Sequence, residues 1–241
     1  MRTRTCDHEC VESPEARFEA LVAKCGPREV RLIEPTAEFF PDAFTRGDDE
    51  SIAALTRRML SYAGQDNLAI EIVPFEERCQ TTDVVNAIHG GDDRVKRVST
   101  RTGPATLLSV AVDRCTIGVA DAEPEMLACA LARVASRLFL ERPAESYRDA
   151  PVRELAATDE ALGAAEIASV YLGFGVLTAN DAYRFVRSRR TVTHRSCGIH
   201  SYEAMTLLLA KWWRERGGEP AERRRIRALL EPSQLTTFDQ A

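Results

Sequence analysis

Apolar runs long enough to cross a membrane are missing from this 241-residue chain. No stretch reaches the about 18 uncharged apolar residues a spanning helix needs, and the opening MRTRTCDHECVESPE lacks the roughly 7 to 15 apolar residues of a secretory signal. A cytoplasmic protein with no membrane partner is therefore expected. The seven cysteines are odd in number and lack tight periodic spacing, which argues against a disulfide framework and for reduced thiols. There is no internal repeat and no low-complexity tract, so solenoids and arrays are excluded. The GFG at 173–175 lacks both the G-x-G-x-x-G spacing and a preceding strand, and so is not a phosphate loop.

What is present is ordinary soluble composition, 44% hydrophobic and 29% charged, in a length that fits one large domain with a substantial core. The net charge of −5 is unevenly spread. Between Arg184 and Arg227 stand 12 Lys/Arg against 4 Asp/Glu, a local surplus of +8 that leaves −13 on the remainder. Such asymmetry fits either an acidic partner or a solvated basic helix face.

Along the chain, residues 1–28 read as a loosely held arm or short helix, with Pro14 ending any regular segment. EVRLIEP (29–35) reads as a strand running into a loop at Pro35 and Pro41. Ile52, Leu55, Met59 and Leu60 fall at helical spacing over 49–64, with Gly64 as the stop. Strands follow at 68–75, 105–113 and 115–120, with Cys115 a small core residue in the last. From 125 helices dominate: 125–142 with Cys129 in its core, 159–172, one capped by Asn180 or Asp181 running to Arg187, and one capped by Ser201 and stopped by Gly217 and Gly218. A short helix at 221–230 precedes a tail. The sum is an α+β fold: residues 29–241 form one domain, with a mainly sheet part at 29–124 and a helical part at 125–241.

The segment EMLACALARVASRLFLER (125–142) carries only two interior charges, Arg133 and Arg137, one helical turn apart on one face. Their neighbours on that face are Met126, Cys129, Ala130 and Leu140, so partial burial is expected and a negative group must be near. Glu166 is the first candidate, with Asp159 and Glu160 one to two turns upstream. The alternative is a solvated stripe with the arginine stems lying along apolar surface.

Three segments, EPTAEFFPDAF (34–44), TIGVA leading into the arginine-bearing helix, and AAEIASVYLGFGVLTAN (164–180), resemble an uncharacterised bacterial family of zincin-like, HExxH metallopeptidase-type proteins. That family carries PTxEFFPD, AHELAH and FLGFGxFxAN segments in this order. GIHSYEAMTLLLA (198–210) is similar to its final helix, so the likeness spans about residues 30 to 230. The resemblance implies a zincin-like fold, zinc held by two histidines and a later acidic residue, and a Glu as base. Carried onto this chain, the histidine positions hold Arg133 and Arg137, the base position holds Val134, and Glu166 alone keeps its chemistry. A guanidinium does not lose its proton to become a ligand, and valine moves none.

The resulting expectation is a catalytically inactive, metallopeptidase-like binding or regulatory scaffold with no metal and no cofactor. An Arg133, Arg137, Glu166 cluster stands where zinc would bridge two helices, and a cleft bordered by Val134, Asp159, Glu160 and Tyr171 is open to a protein or peptide partner. A nucleic-acid-associated factor using the basic C-terminal region, above all ERRRIR (222–227), is the runner-up. A non-metal enzyme built on Cys197 with His194 and His200 is a third reading, although no oxyanion hole or orienting acid is evident nearby. Cys6, His8, Cys10 and Cys25 offer soft ligands without a matching second pair. His89 beside Gly90 and Gly91 reads as a loop residue, and Trp212 or Trp213 as core.

Overall fold

The computed structural model describes residues 12–26, 30–40, 49–74, 84–87, 94–99, 104–111, 113–120, 122, 124–141, 153–154, 158–182, 184–187, 191–196 and 198–241. Among them are helices α1 (Pro14–Cys25), α2 (Asp49–Tyr62), α3 (Pro124–Glu141), α4 (Asp159–Tyr171), α5 (Gly175–Ala182), α6 (Tyr202–Glu215), α7 (Pro220–Leu229) and α8 (Pro232–Gln240). The strands are β1 (Ala69–Pro74), β2 (Val84–Ala87), β3 (Arg94–Ser99), β4 (Ala105–Val110), β5 (Arg114–Val119), β6 (Arg153–Glu154), β7 (Arg184–Arg187) and β8 (Thr191–Ser196). The fold is α+β. No described helix is long and apolar enough to cross a membrane.

The strands form two four-stranded sheets. In the first, ordered β1-β5-β4-β6, β1 runs parallel to β5 and β4 antiparallel to it, with a register shift between Leu107 and Ser109. Helix α3 packs on β4, and the inward residues Leu107, Val110, Cys115 and Ile117 join the core beneath it. The second sheet, ordered β2-β3-β8-β7, pairs β3 parallel to β8. Its four strands hold six Lys/Arg and no Asp or Glu.

Several expectations are corrected. Pro14 does not end a segment but starts the short helix α1: Ser13 accepts from the Ala16 amide, Pro14 sits in the first turn where no intrahelical N–H is needed, and Phe18 is buried. Residues 30–35 form no strand. Leu32 and Ile33 bury themselves against the α4–α5 link instead, with the Ile33 amide donating to the Gly173 carbonyl at 2.9 Å. Gly173 has φ +90°, and a Cβ there would stand 2.5 Å from the Arg31 carbonyl oxygen, so this crossing accepts only glycine.

Asn180 and Asp181 cap no later helix; they end α5, and the chain continues as β7. Residues 231–241 are no tail, because α8 carries buried Gln234 and Phe238 and is started by a capping box between Glu231 and Gln234. By contrast Ser201 caps α6 by accepting from Ala204, and Gly64 and Gly217 turn with positive φ after α2 and α6.

Candidate functional site

Arginine 133 lies in the middle of α3, where every neighbour in sequence is apolar and the helix is enclosed by β4, α4 and α5. Only 8% of its surface is exposed. A guanidinium so desolvated needs carboxylates, and two approach it. Its Nε donates to Glu166 Oε1 at 3.1 Å, and its Nη1 reaches Asp181 Oδ2 at 2.5 Å. Glu166 and Asp181 are 2% and 1% exposed, so one cation on α3 joins an anion from α4 to one from α5.

Glu166 is also held from a fourth direction. The turn at 198–200, just before α6, directs the Ile199 amide at both carboxylate oxygens, each 3.1 Å away, and the His200 amide at Oε2, 3.0 Å away. Gly198 makes this possible, since a Cβ there would sit 2.7 Å from Glu166 Oε1. His200 closes the clamp through its Nε2, which lies 3.2 Å from the Gly163 carbonyl oxygen. With Arg133 and two amides on it, the Glu166 carboxylate is a fully engaged acceptor.

The remaining predicted residues are distributed differently. Arg137 is buried on the same helix, 4% exposed. Burial pulls its guanidinium below the ordinary arginine value, and the charge of Glu141 one turn on works in the opposite direction. Asp181 adds a second carboxylate on Arg133, beside the Glu166 expected there. Val134 is core, and Tyr171 is buried with its hydroxyl donating to the Gly26 carbonyl at 2.8 Å. Asp159 and Glu160 are exposed in the first turn of α4. Of these four, two are inside and two are exposed.

Asp181 was legible only in part. Two arginines on one buried face call for more than one carboxylate, but the assignment of Asn180 and Asp181 to a helix cap removed the second from consideration. In the structure the whole of α5 is a tie-point. Thr178 and Ser169 hydroxyls meet at 2.9 Å, Asn180 Nδ2 donates to the Leu229 carbonyl at 2.8 Å, and Gln234 Nε2 donates to that of Ala179 at 2.6 Å.

The residues present do not fit a zinc ion. Two of the three positions that the resemblance would give to ligands hold guanidinium groups, and both oxygens of the third are taken by amides and Arg133. Among the described residues no three His, Cys, Asp or Glu side chains assemble as a metal site. Cys25 is exposed, and Cys115 and Cys129 are buried free thiols. Cys6, His8, Cys10, His89 and Cys197 lie outside the described residues, and His194 is described only by its backbone register, opposite Arg97 and Phe185.

The ERRRIR run is answered by carboxylates of other segments. Arg225 lies 3.5 Å from Glu34, Arg223 and Arg227 share Asp239, and Glu222 pairs with Arg216. Trp212 is buried, with the Arg216 guanidinium 4.0 Å from its ring centroid. Compared with protein-family models, with curated proteins and with solved structures, the chain has no significant match.

Proposed function

We propose that this chain is a non-hydrolytic, zincin-like scaffold, in which an arginine-centred ion network braces the helices that a metal would bridge in an active relative, and that it serves a cytoplasmic binding or regulatory role toward a protein or peptide. The observation that carries the reading is Arg133 bridging Glu166 and Asp181 in a buried site. A permanently charged donor at the centre can orient and neutralise carboxylates, but it offers neither a Lewis acid nor a proton acceptor. Val134, where a base would stand, is a core side chain. The test is metal content and peptide cleavage measured on the same purified protein. The expected result is no stoichiometric zinc and no chelator-sensitive cleavage; stoichiometric zinc that disappears in Glu166→Gln would overturn the reading.

A second reading, a nucleic-acid-associated factor, is favoured by one observation: the second sheet gathers six Lys/Arg and no acid from strands far apart in sequence. If it holds, single-stranded nucleic acid binds with a steep salt dependence that Arg94→Gln together with Lys96→Gln reduces, while Arg225→Gln, already facing Glu34, does not. Binding that is unchanged in the double variant removes it.

A further inference from the structure

Helix α7 presents Pro220, Arg223, Arg224 and Arg227 at the spacing that shares one helical face, whereas Arg225 leaves that face for Glu34. With Trp213 of α6 and Asp239 of α8, the four residues wall a basin of about 530 Å³. Asp239 is the carboxylate that answers its cations, in contact with Arg227 and 3.7 Å from Arg223. Arg223 is fixed further by two rings, its guanidinium carbon lying 5.5 Å from the Trp213 centroid and 5.8 Å from that of Phe238. Arg224 is exposed and has no ion-pair partner among the described residues.

Three guanidinium groups against one carboxylate leave a surplus of two positive charges in a concave wall. Concavity focuses that field, and guanidinium forks match the oxygens of a tetrahedral anion two at a time. We propose that this basin binds a doubly charged phosphate group, a monoester or diphosphate carried by a small molecule. Arg224 and Arg227 provide the donors, Arg223 forms a wall held in place by Trp213 and Phe238, and Asp239 sets the orientation of the arginines. The charge surplus matches a dianion, and the singly charged phosphodiester of a nucleic-acid backbone would leave half of it unanswered. This site is separate from the buried network around Arg133 and does not depend on its interpretation.

Calorimetric titration of the full chain with pyrophosphate at physiological ionic strength tests the proposal, with inorganic phosphate, adenosine monophosphate and an oligonucleotide lacking terminal phosphates as parallel probes. One saturable site is expected for pyrophosphate. Arg224→Gln, an exposed position whose change leaves the fold intact, weakens it about tenfold, as does Arg227→Gln, while Arg225→Gln leaves it unchanged. Adenosine monophosphate binding tighter than that of free phosphate identifies an organic phosphate as the ligand, and binding equal to or weaker than it identifies the free anion; both uphold a phosphate site here. It is overturned by the absence of saturable binding, by equal weakening in Arg225→Gln, or by an oligonucleotide that competes as well as pyrophosphate.

Discussion

At Arg133 a single side chain ties one helix to carboxylates of two others. Its two carboxylate partners are nearly inaccessible to water, so removing the cation leaves two buried anions without the charge that both face. Arg133→Met is expected to lower the free energy of unfolding at pH 7 by about 3 to 5 kcal/mol, read from urea denaturation, because breaking a buried pair costs more than the pair contributes. A change near zero would mean that water reaches both anions. Cys115 on β5 offers a second test with a definite sign. Burial pushes its thiol up to about 11, above the 9.0 of an exposed cysteine. Below pH 9 both folded and unfolded chains carry the neutral thiol, and the native advantage is complete. As pH rises from 9 toward 11 the unfolded chain ionises while the folded one does not, so stability falls. Relative to Cys115→Ala, the wild-type protein should lose about 1 kcal/mol between pH 8 and pH 10 in the same assay.

Elements with apolar residues at a regular spacing or in a near-continuous run were readable in the sequence, and those defined by partners were not. Helices α2 and α6 and strand β1 follow from apolar spacing with Ser201 and Gly64 as boundary signals, and α3, α4, β4 and β5 from apolar runs buried along most of their length. The second sheet escaped because RVKRVS and TVTHRS alternate too weakly for a period of two to register, and because parallel pairing of β3 with β8 joins segments that no local pattern relates. The start of helix α1 was obscured by reading Pro14 as a stop, and α8 was hidden by its polar composition, although Glu231 and Gln234 supply a capping-box spacing. In the site, Glu166 was legible as the acidic partner of Arg133, whereas the Gly198–Ile199–His200 turn was not, since backbone donors leave no side-chain signature. That turn carries its own prediction. A Cβ on residue 198 meets the Glu166 carboxylate at 2.7 Å, and the carboxylate cannot retreat without losing Arg133. Gly198→Ala should therefore destabilise by about 1 to 3 kcal/mol. Hydrogen exchange at the Ile199 and His200 amides should accelerate with it; unchanged protection at those two amides would show that the clamp gives way elsewhere.

At the scale of the whole molecule, one hydrophobic cluster runs from Phe18 of α1 through α3, α4 and α5 to Phe238 of α8, so the two ends of the described chain share a core with its middle. Polar ties follow the same route: Lys211 of α6 meets Glu19 of α1 at 2.7 Å, Tyr171 reaches Gly26, and Gln234 of α8 holds α5, which in turn holds Arg133 through Asp181. A scaffold made this way cannot release one helix without disturbing the ion network, so unfolding should be a single cooperative event rather than the peeling of a C-terminal appendage. Phe238→Ala examines this directly. The ring is buried against the core, and its loss should cost about 3 to 5 kcal/mol. Tryptophan fluorescence, which reports α6 through Trp212 and Trp213, and far-ultraviolet circular dichroism, which reports all the helices, should shift to the same lower denaturant midpoint. If the fluorescence transition moves while the dichroism transition stays, α6 to α8 form a separate unit, and the buried arginine braces only the remainder of the molecule.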